Sequence, residues 1–409
     1  MDEKRELLKE RPDLICEGAY KRSTDFIKYI LSLKEFTEEK YSYMLTPNIF
    51  NATKDDILPI LHMEIFEQKK YKHLLTPNIW NHKKEEIELI LSLKEWEEEK
   101  FKPLLTSNIW NSNYEEIKRI LSLKEWKNDR FKKLLSPGIW SRSEQEVKDI
   151  LSKQEWEEEK FKPLLTSNIW NSTAKNVEDI LELKEWDKEE YNDLLTSNIW
   201  HCKFEDIKEI LEIEILKKEE YKHLLTSNIW NSTAKNVKDI LKLDAWKDPK
   251  FRKILGPNIW SKSVEEVESI LSLEQWDREE FNQLLTSNIW HSSSKTIKEL
   301  LSMEIFKDER YKHLLVPSIF NVSIKNIIPS IELAEEFNIG PYITNRCLRR
   351  NATYQRALME YLVEKKIPLV ISKQDGKNVL NPILNASNTD LKNKYNIDIK
   401  ELVEKEAKK

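Results

Sequence analysis

Aromatic rings return every thirty residues along most of this chain, with no insertion or deletion between them. One ring closes a recurring phrase, written Leu104-Leu105-Thr106-Ser107-Asn108-Ile109-Trp110-Asn111-Ser112 in one of its copies. It falls at Phe50, Trp80, Trp110, Trp140, Trp170, Trp200, Trp230, Trp260, Trp290 and Phe320. A second ring keeps the same interval at Phe36, Phe66, Trp96, Trp126, Trp156, Trp186, Trp246, Trp276 and Phe306, with Leu216 as the aliphatic substitute. Repetition at a fixed interval of this length marks a stacked array. One unit cannot bury its apolar face alone, so its neighbours must cover it.

Within 111–140 the pattern is helical. Ile117, Ile120 and Leu121 fall three and four apart on one stripe. Asn111 or Ser112 is placed to cap the helix start, and Glu115 and Glu116 put negative charge in its first turn. Phe131, Leu134 and Leu135 form a second, shorter stripe, and Ser136-Pro137-Gly138 reads as a stop. Only five glycines occur in 409 residues, which favours helix over sheet. The expected fold is therefore all-α: a right-handed or superhelical α-solenoid of about ten two-helix repeats over 32–320. Residues 1–31 read as an N-terminal capping unit, because Leu7-Leu8 with Pro12 and Leu14 imitates the phrase. In 321–409 the interval fails. That basic cap is expected to hold a helix from Ile327 to Ala334 stopped before Pro341, and another from Thr353 to Lys365. A strand over 367–371 and a turn at Asp375-Gly376 predict a β-hairpin within it. The fourteen tryptophans read as core, plugging the space between units.

Several function classes are disfavoured. Cys16, Cys202 and Cys347 have no paired spacing and read as reduced cytoplasmic thiols. No apolar run is long enough for a membrane span, and the opening Met1-Asp2-Glu3-Lys4-Arg5-Glu6 is no targeting segment. No phosphate-cradling glycine loop, zinc-protease motif or nucleophile elbow occurs, so a non-enzymatic monomer without cofactor or metal is expected. His73, His223 and His313 share one column in separate repeats and do not converge on a metal.

Three constellations carry the functional expectation. The first is a pair of variable columns, two and four residues after the phrase-ending ring, where a modular base reader would vary. They include His82 and Lys84, Ser112 and Tyr114, Arg142 and Glu144, Cys202 and Phe204, and Lys262. The second is a basic ridge on the short second stripe: Lys70, Lys72, Lys100, Lys102, Arg130, Lys132, Lys160, Lys162, Lys250, Arg252, Arg310 and Lys312. Cations at regular spacing suit a phosphate backbone. They also suit a helix C-terminus, and Glu190 and Glu280 interrupt the row. The third is Arg346, Arg349, Arg350 and Arg356 in the terminal region.

The order Ile90-Leu91, Leu93, Trp96, Phe101, Leu104-Leu105, then a proline such as Pro77 or Pro137 before an apolar residue, resembles the repeat of mitochondrial transcription termination factor (mTERF) proteins. Leu7-Leu8-Lys9-Glu10-Arg11-Pro12-Asp13-Leu14 looks like that family's phrase at its usual spacing, and the likeness covers about residues 5–365. It implies an α-solenoid that holds nucleic acid in its concave groove and regulates transcription. A fainter likeness, to transcription activator-like effectors, lacks their glycines after the variable pair, so no base-reading rule follows. The expected function is non-catalytic binding of DNA or RNA through the variable columns. The alternative is a protein-interaction scaffold, favoured by a net charge of −9 over residues 1–320 against +4 over 321–409.

Overall fold

The structure, a computed structural model, describes residues 2–373 and 375–406. The chain is mostly helical, with one two-stranded sheet near its C-terminus. It divides into two compact units, Met1–Lys208 and Glu209–Lys409. Among the described residues no helix is long and apolar enough to cross a membrane.

A repeat is built from one α-helix of eight residues followed by three short 3-10 segments, not from two α-helices. In the first unit Lys84–Leu91 is the α-helix, and Lys94–Glu97, Glu99–Leu104 and Ser107–Asn111 are the 3-10 segments. The second stripe is α-helical for a single four-residue turn at Asp129–Lys132 and at Pro249–Arg252. The reason is local. A segment of about six residues is too short to recover the cost of α-helix nucleation, and short pieces close i→i+3 bonds instead. Phe101 N–H accordingly donates to Glu98 C=O at 3.0 Å, and Leu105 N–H to Lys102 C=O at 3.2 Å. Pro103 and Pro163 lie inside two of these segments, where a proline has no N–H for an α-helical bond. The phrase itself is also helical, as a 3-10 turn rather than a stop. Its first position alternates between Pro and Ser because that residue's N–H has no intrahelical acceptor in any case.

The caps lie later than the sequence reading placed them. Asn113, not Asn111 or Ser112, accepts from Glu116 N–H at 2.9 Å. Ser143, Thr173, Thr233, Ser263 and Ser293 do the same in their own repeats.

All fourteen tryptophans are buried, none above 4% exposed. Their N–H groups explain why indole, rather than phenyl, fills both columns. In the second column Trp96 Nε1 donates to Ile90 C=O at 2.7 Å, and Trp126 Nε1 to Ile120 C=O at 2.7 Å. Each satisfies a carbonyl at a helix end that has no partner within the helix. In the phrase column the donor reaches the neighbouring repeat, thirty-six residues back. Trp110 bonds Leu74 C=O at 2.7 Å and Trp140 bonds Leu104 C=O at 2.9 Å. In the second unit Trp260 bonds Leu224 C=O at 2.9 Å and Trp290 bonds Ile254 C=O at 2.7 Å. Indoles of the two columns also meet edge to face, with Trp96 and Trp140 at 6.3 Å and Trp246 and Trp290 at 6.4 Å.

The first unit begins with Asp2–Leu7 and the 3-10 turn Pro12–Leu14, which buries Leu8 and Leu14 completely. The second unit leaves the thirty-residue interval after Phe320. Ile324–Glu336 is a helix longer than that of any repeat, ended at Asn338 with φ of 56°. Gly340 follows, where a Cβ would come within 2.9 Å of the Tyr311 hydroxyl and closer still to Glu335. Ala352–Glu364 is the next helix. The hairpin pairs Val370–Ser372 with Asn378–Leu380 antiparallel, its first strand starting three residues later and ending one residue later than expected, and turns at Gly376 with φ of 78°.

Candidate binding surface of the repeats

The column two residues after the phrase ring faces the next repeat. His82, Ser112, Ser172, Ser232, Ser292 and Cys202 are buried, while Arg142 and Lys262 are half-buried. His82 Nε2 lies 2.9 Å from Trp110 C=O, Ser112 Oγ donates to Trp140 C=O at 2.8 Å, and Arg142 Nε donates to Trp170 C=O at 2.9 Å. Each spans twenty-eight residues to the ring of the following repeat. Arg22 makes the same bond in the N-terminal region, to Phe50 C=O at 2.7 Å. Chemically unlike side chains thus do one job, which is to satisfy a neighbour's carbonyl.

The column four residues after the ring begins the α-helix. Lys84, Tyr114, Glu144 and Phe204 are half-buried there, and their backbone N–H groups reach back to the preceding repeat. Tyr114 N–H donates to Glu86 at 3.0 Å and Phe204 N–H to Asn176 at 2.8 Å. Glu144 N–H donates to Glu116. In the second unit Val264 N–H donates to Asn236 at 2.8 Å.

The acceptors form a column, six residues after the ring, that the sequence reading missed. A signal for it was present. Glu accompanies a basic residue four positions earlier at His82/Glu86, Arg142/Glu146 and Lys262/Glu266, and Asn accompanies Ser at Ser172/Asn176 and Ser232/Asn236. Asn176 joins the two columns, donating to Ser172 Oγ at 2.8 Å and to Cys202 C=O at 3.0 Å. Burial pushes the Cys202 thiol up to about 12, so it stays protonated at neutral pH. Among the described residues no group of three or more His, Cys, Asp or Glu is arranged for a metal. His73 and His313 are committed singly, to Leu105 C=O and Ile343 C=O, both at 2.8 Å.

The basic ridge is folded back onto the protein. Its inner cations lie over the adjacent ring: Lys70 is 5.0 Å from the Tyr71 centroid, Lys100 is 4.6 Å from Phe101 and Arg130 is 4.9 Å from Phe131. Lys160, Lys250 and Arg310 repeat the arrangement. From there they reach acids of the next repeat, Lys70 to Glu97 at 2.7 Å, Lys160 to Asp187 at 3.0 Å and Lys250 to Asp277 at 3.6 Å, with Arg130 on Glu157. Lys100 pairs with Glu98 at 2.9 Å, since residue 127 is a lysine and offers it no charge. Outer cations pair within their own turn, as Lys132 does with Asp129 at 2.5 Å and as Lys102, Lys162 and Lys312 do with Glu99, Glu159 and Glu309. Arg310 holds Asp308 at 2.7 Å and Glu335 at 2.8 Å. Only Lys72 and Arg252 of this ridge lack an ion pair among the described residues.

The four C-terminal arginines separate. Arg350 is half-buried and donates to Leu384 C=O at 3.4 Å and Ala386 C=O at 2.6 Å. Arg356 forms a two-bond fork with Glu336, both at 2.6 Å. Arg346 and Arg349 are exposed and have no ion pair among the described residues.

The inter-repeat pairs set a pH dependence. Lys70 holds the Glu97 carboxyl below its ordinary value of 4.5, and Arg130 does the same to Glu157. A depressed carboxylate contributes stability above its unfolded value and loses it as pH falls through the folded one. Wild type is therefore expected to melt slightly above Glu97→Gln/Glu157→Gln at neutral pH, and the gap to close progressively below about pH 4.5. Both carboxylates are exposed, so added salt shrinks the gap. Melting midpoints from neutral to acid pH check this, and a gap that ignores pH contradicts it.

No protein-family model, curated protein or solved structure matches this chain.

Proposed function

We propose that this chain is a non-catalytic α-solenoid scaffold whose repeats bind a protein partner. The observation that carries the reading is the commitment of the repeat side chains. The donors His82, Ser112, Arg142, Ser172 and Ser292 after the phrase rings are used on the next repeat's carbonyls, and most ridge cations are used on acids. What remains for a ligand is a surface of alternating, mutually compensated charge, with a net of −9 over residues 1–320. Such a surface suits the mixed polar face of a protein better than a row of phosphates, which needs uncompensated cations.

Nucleic-acid binding, the reading that the mTERF likeness implies, is supported by one observation. Arg346 and Arg349 have no ion pair among the described residues, in a region of net charge +4. On that reading DNA or RNA meets the C-terminal region rather than the ridge.

Fluorescence anisotropy with mixed DNA and RNA pools separates the two. A ridge that tracked six or more phosphates would lose about 10³–10⁵ in affinity between about 50 and 200 mM salt. The scaffold reading expects no such slope, and no change on Lys70→Ala/Lys160→Ala. It also expects a partner retained after nuclease treatment to cross-link to repeat residues. Tight, steeply salt-dependent binding abolished by the ridge substitutions would overturn it.

A further inference from the structure

The C-terminal region of the second unit holds a cleft of about 590 Å³ that the scaffold reading does not use. Its walls come from 341–346, the second hairpin strand Asn378–Leu380, the 3-10 turn Pro382–Asn385 and the helix Asn388–Tyr395. That volume lies within the range of sites that hold small organic ligands. The lining is mixed. Pro341, Val379, Leu380 and Pro382 are apolar, and Tyr342 and Tyr395 add aromatic rings.

Its charge is unbalanced. Arg346, Lys373 and Lys394 line it against a single carboxylate, Asp390. Asp390 is already committed, to Lys394 at 2.7 Å and to the Ser387 hydroxyl at 2.8 Å. Arg346 and Lys373 are exposed and make no ion pair among the described residues. Two positive charges therefore stand uncompensated around one pocket. Other exposed cations, Lys72 and Arg252 among them, also lack an ion pair among the described residues, but Arg346 and Lys373 line one cleft together. Of the remaining polar lining, His313 is committed to Ile343 C=O, and the Thr344 hydroxyl donates to Asn385 at 2.7 Å.

We propose that this cleft binds a small molecule bearing a terminal phosphate, with its organic part against the tyrosines and prolines. A phosphate monoester carries close to two negative charges at neutral pH, which matches the surplus. A guanidinium can grip it with two parallel hydrogen bonds, as a carboxylate or phosphate invites. An internal phosphate of a polynucleotide carries one charge and matches less well.

The test is calorimetric titration of the full chain with adenosine 5′-monophosphate, inorganic phosphate and adenosine. The nucleotide is expected to bind more tightly than inorganic phosphate, and adenosine not to register. Arg346→Ala and Lys373→Ala should each weaken the nucleotide about tenfold, equivalent to about 1.4 kcal/mol. Lys72→Ala, an unpaired cation outside the cleft, should change nothing. Both cleft positions are exposed, so the helical circular dichroism signal should be unaltered. The proposal is overturned if neither phosphate probe binds or if binding survives both substitutions. It is equally overturned if an oligonucleotide without a terminal phosphate competes as well as the nucleotide.

Discussion

Trp140→Ala is expected to destabilise the first unit by about 3–5 kcal/mol, the usual cost of truncating a buried tryptophan. Three things go at once. The ring is 1% exposed, so a large cavity opens. Its Nε1 bond to Leu104 C=O, 2.9 Å long, disappears and leaves that carbonyl of the previous repeat with Thr106 N–H, at 2.9 Å, as its remaining donor. Its edge contact with Trp96 at 6.3 Å is lost as well. Trp140→Phe separates these effects. It keeps most of the ring and loses the donor, so it should cost about 0.5–1.5 kcal/mol, the net contribution of one hydrogen bond, plus the effect of a small void. Repeat proteins can unfold unit by unit, and a single transition midpoint would then mislead. Urea melts should therefore be paired with limited proteolysis that locates the weakened segment. A cost for Trp140→Ala within about 0.5 kcal/mol of zero, typical of surface sites, would mean that the ring does not bridge repeats.

Asn176→Ala is the second large effect. Its amide makes three bonds, to Ser172 Oγ, to Cys202 C=O and from Phe204 N–H, at 2.8, 3.0 and 2.8 Å. At about 0.5–1.5 kcal/mol for each net bond, the loss should be about 2–4 kcal/mol. Asn176→Asp keeps the acceptor for Phe204 and loses both donors, so it should fall between wild type and alanine. Asn236→Ala should reproduce the result in the second unit, where the same side chain bonds Ser232, Lys262 and Val264 at 2.8 Å each. If Asn176→Ala were silent, the columns after the ring would be ordinary solvated positions.

Much of this architecture is legible in the residues. The ring columns mark the interval and the core, and Ile117, Ile120 and Leu121 mark the α-helix that buries them. The terminal helices and the hairpin turn at Gly376 follow from their breakers and apolar stripes. The 3-10 segments were harder to see. Phe131 and Leu134 are three apart, a spacing that α and 3-10 helices share, so periodicity alone does not separate them.

The candidate site was legible only in part, for a different reason. Comparing columns tells which positions vary, but not what each one touches. His82, Ser112 and Arg142 look like changing letters, yet each is a different-length donor to the same carbonyl. The ridge misleads similarly. Lys70 and Glu97 are twenty-seven residues apart, a separation that brings side chains together only once repeats are stacked. Neutralisation across the interval therefore belongs to packing and not to local pattern.

Amide hydrogen exchange at the first residue of the repeat helices tests the central claim most directly. That N–H has no acceptor within its own helix and normally exchanges freely. Here Tyr114, Phe204 and Val264 donate it to Glu86, Asn176 and Asn236 of the preceding repeat. Protection is predicted at all three, with Phe204 alone released by Asn176→Ala. Free exchange at these amides in the wild-type chain, or release of Tyr114 together with Phe204 in that variant, would contradict a fold in which each repeat completes the next.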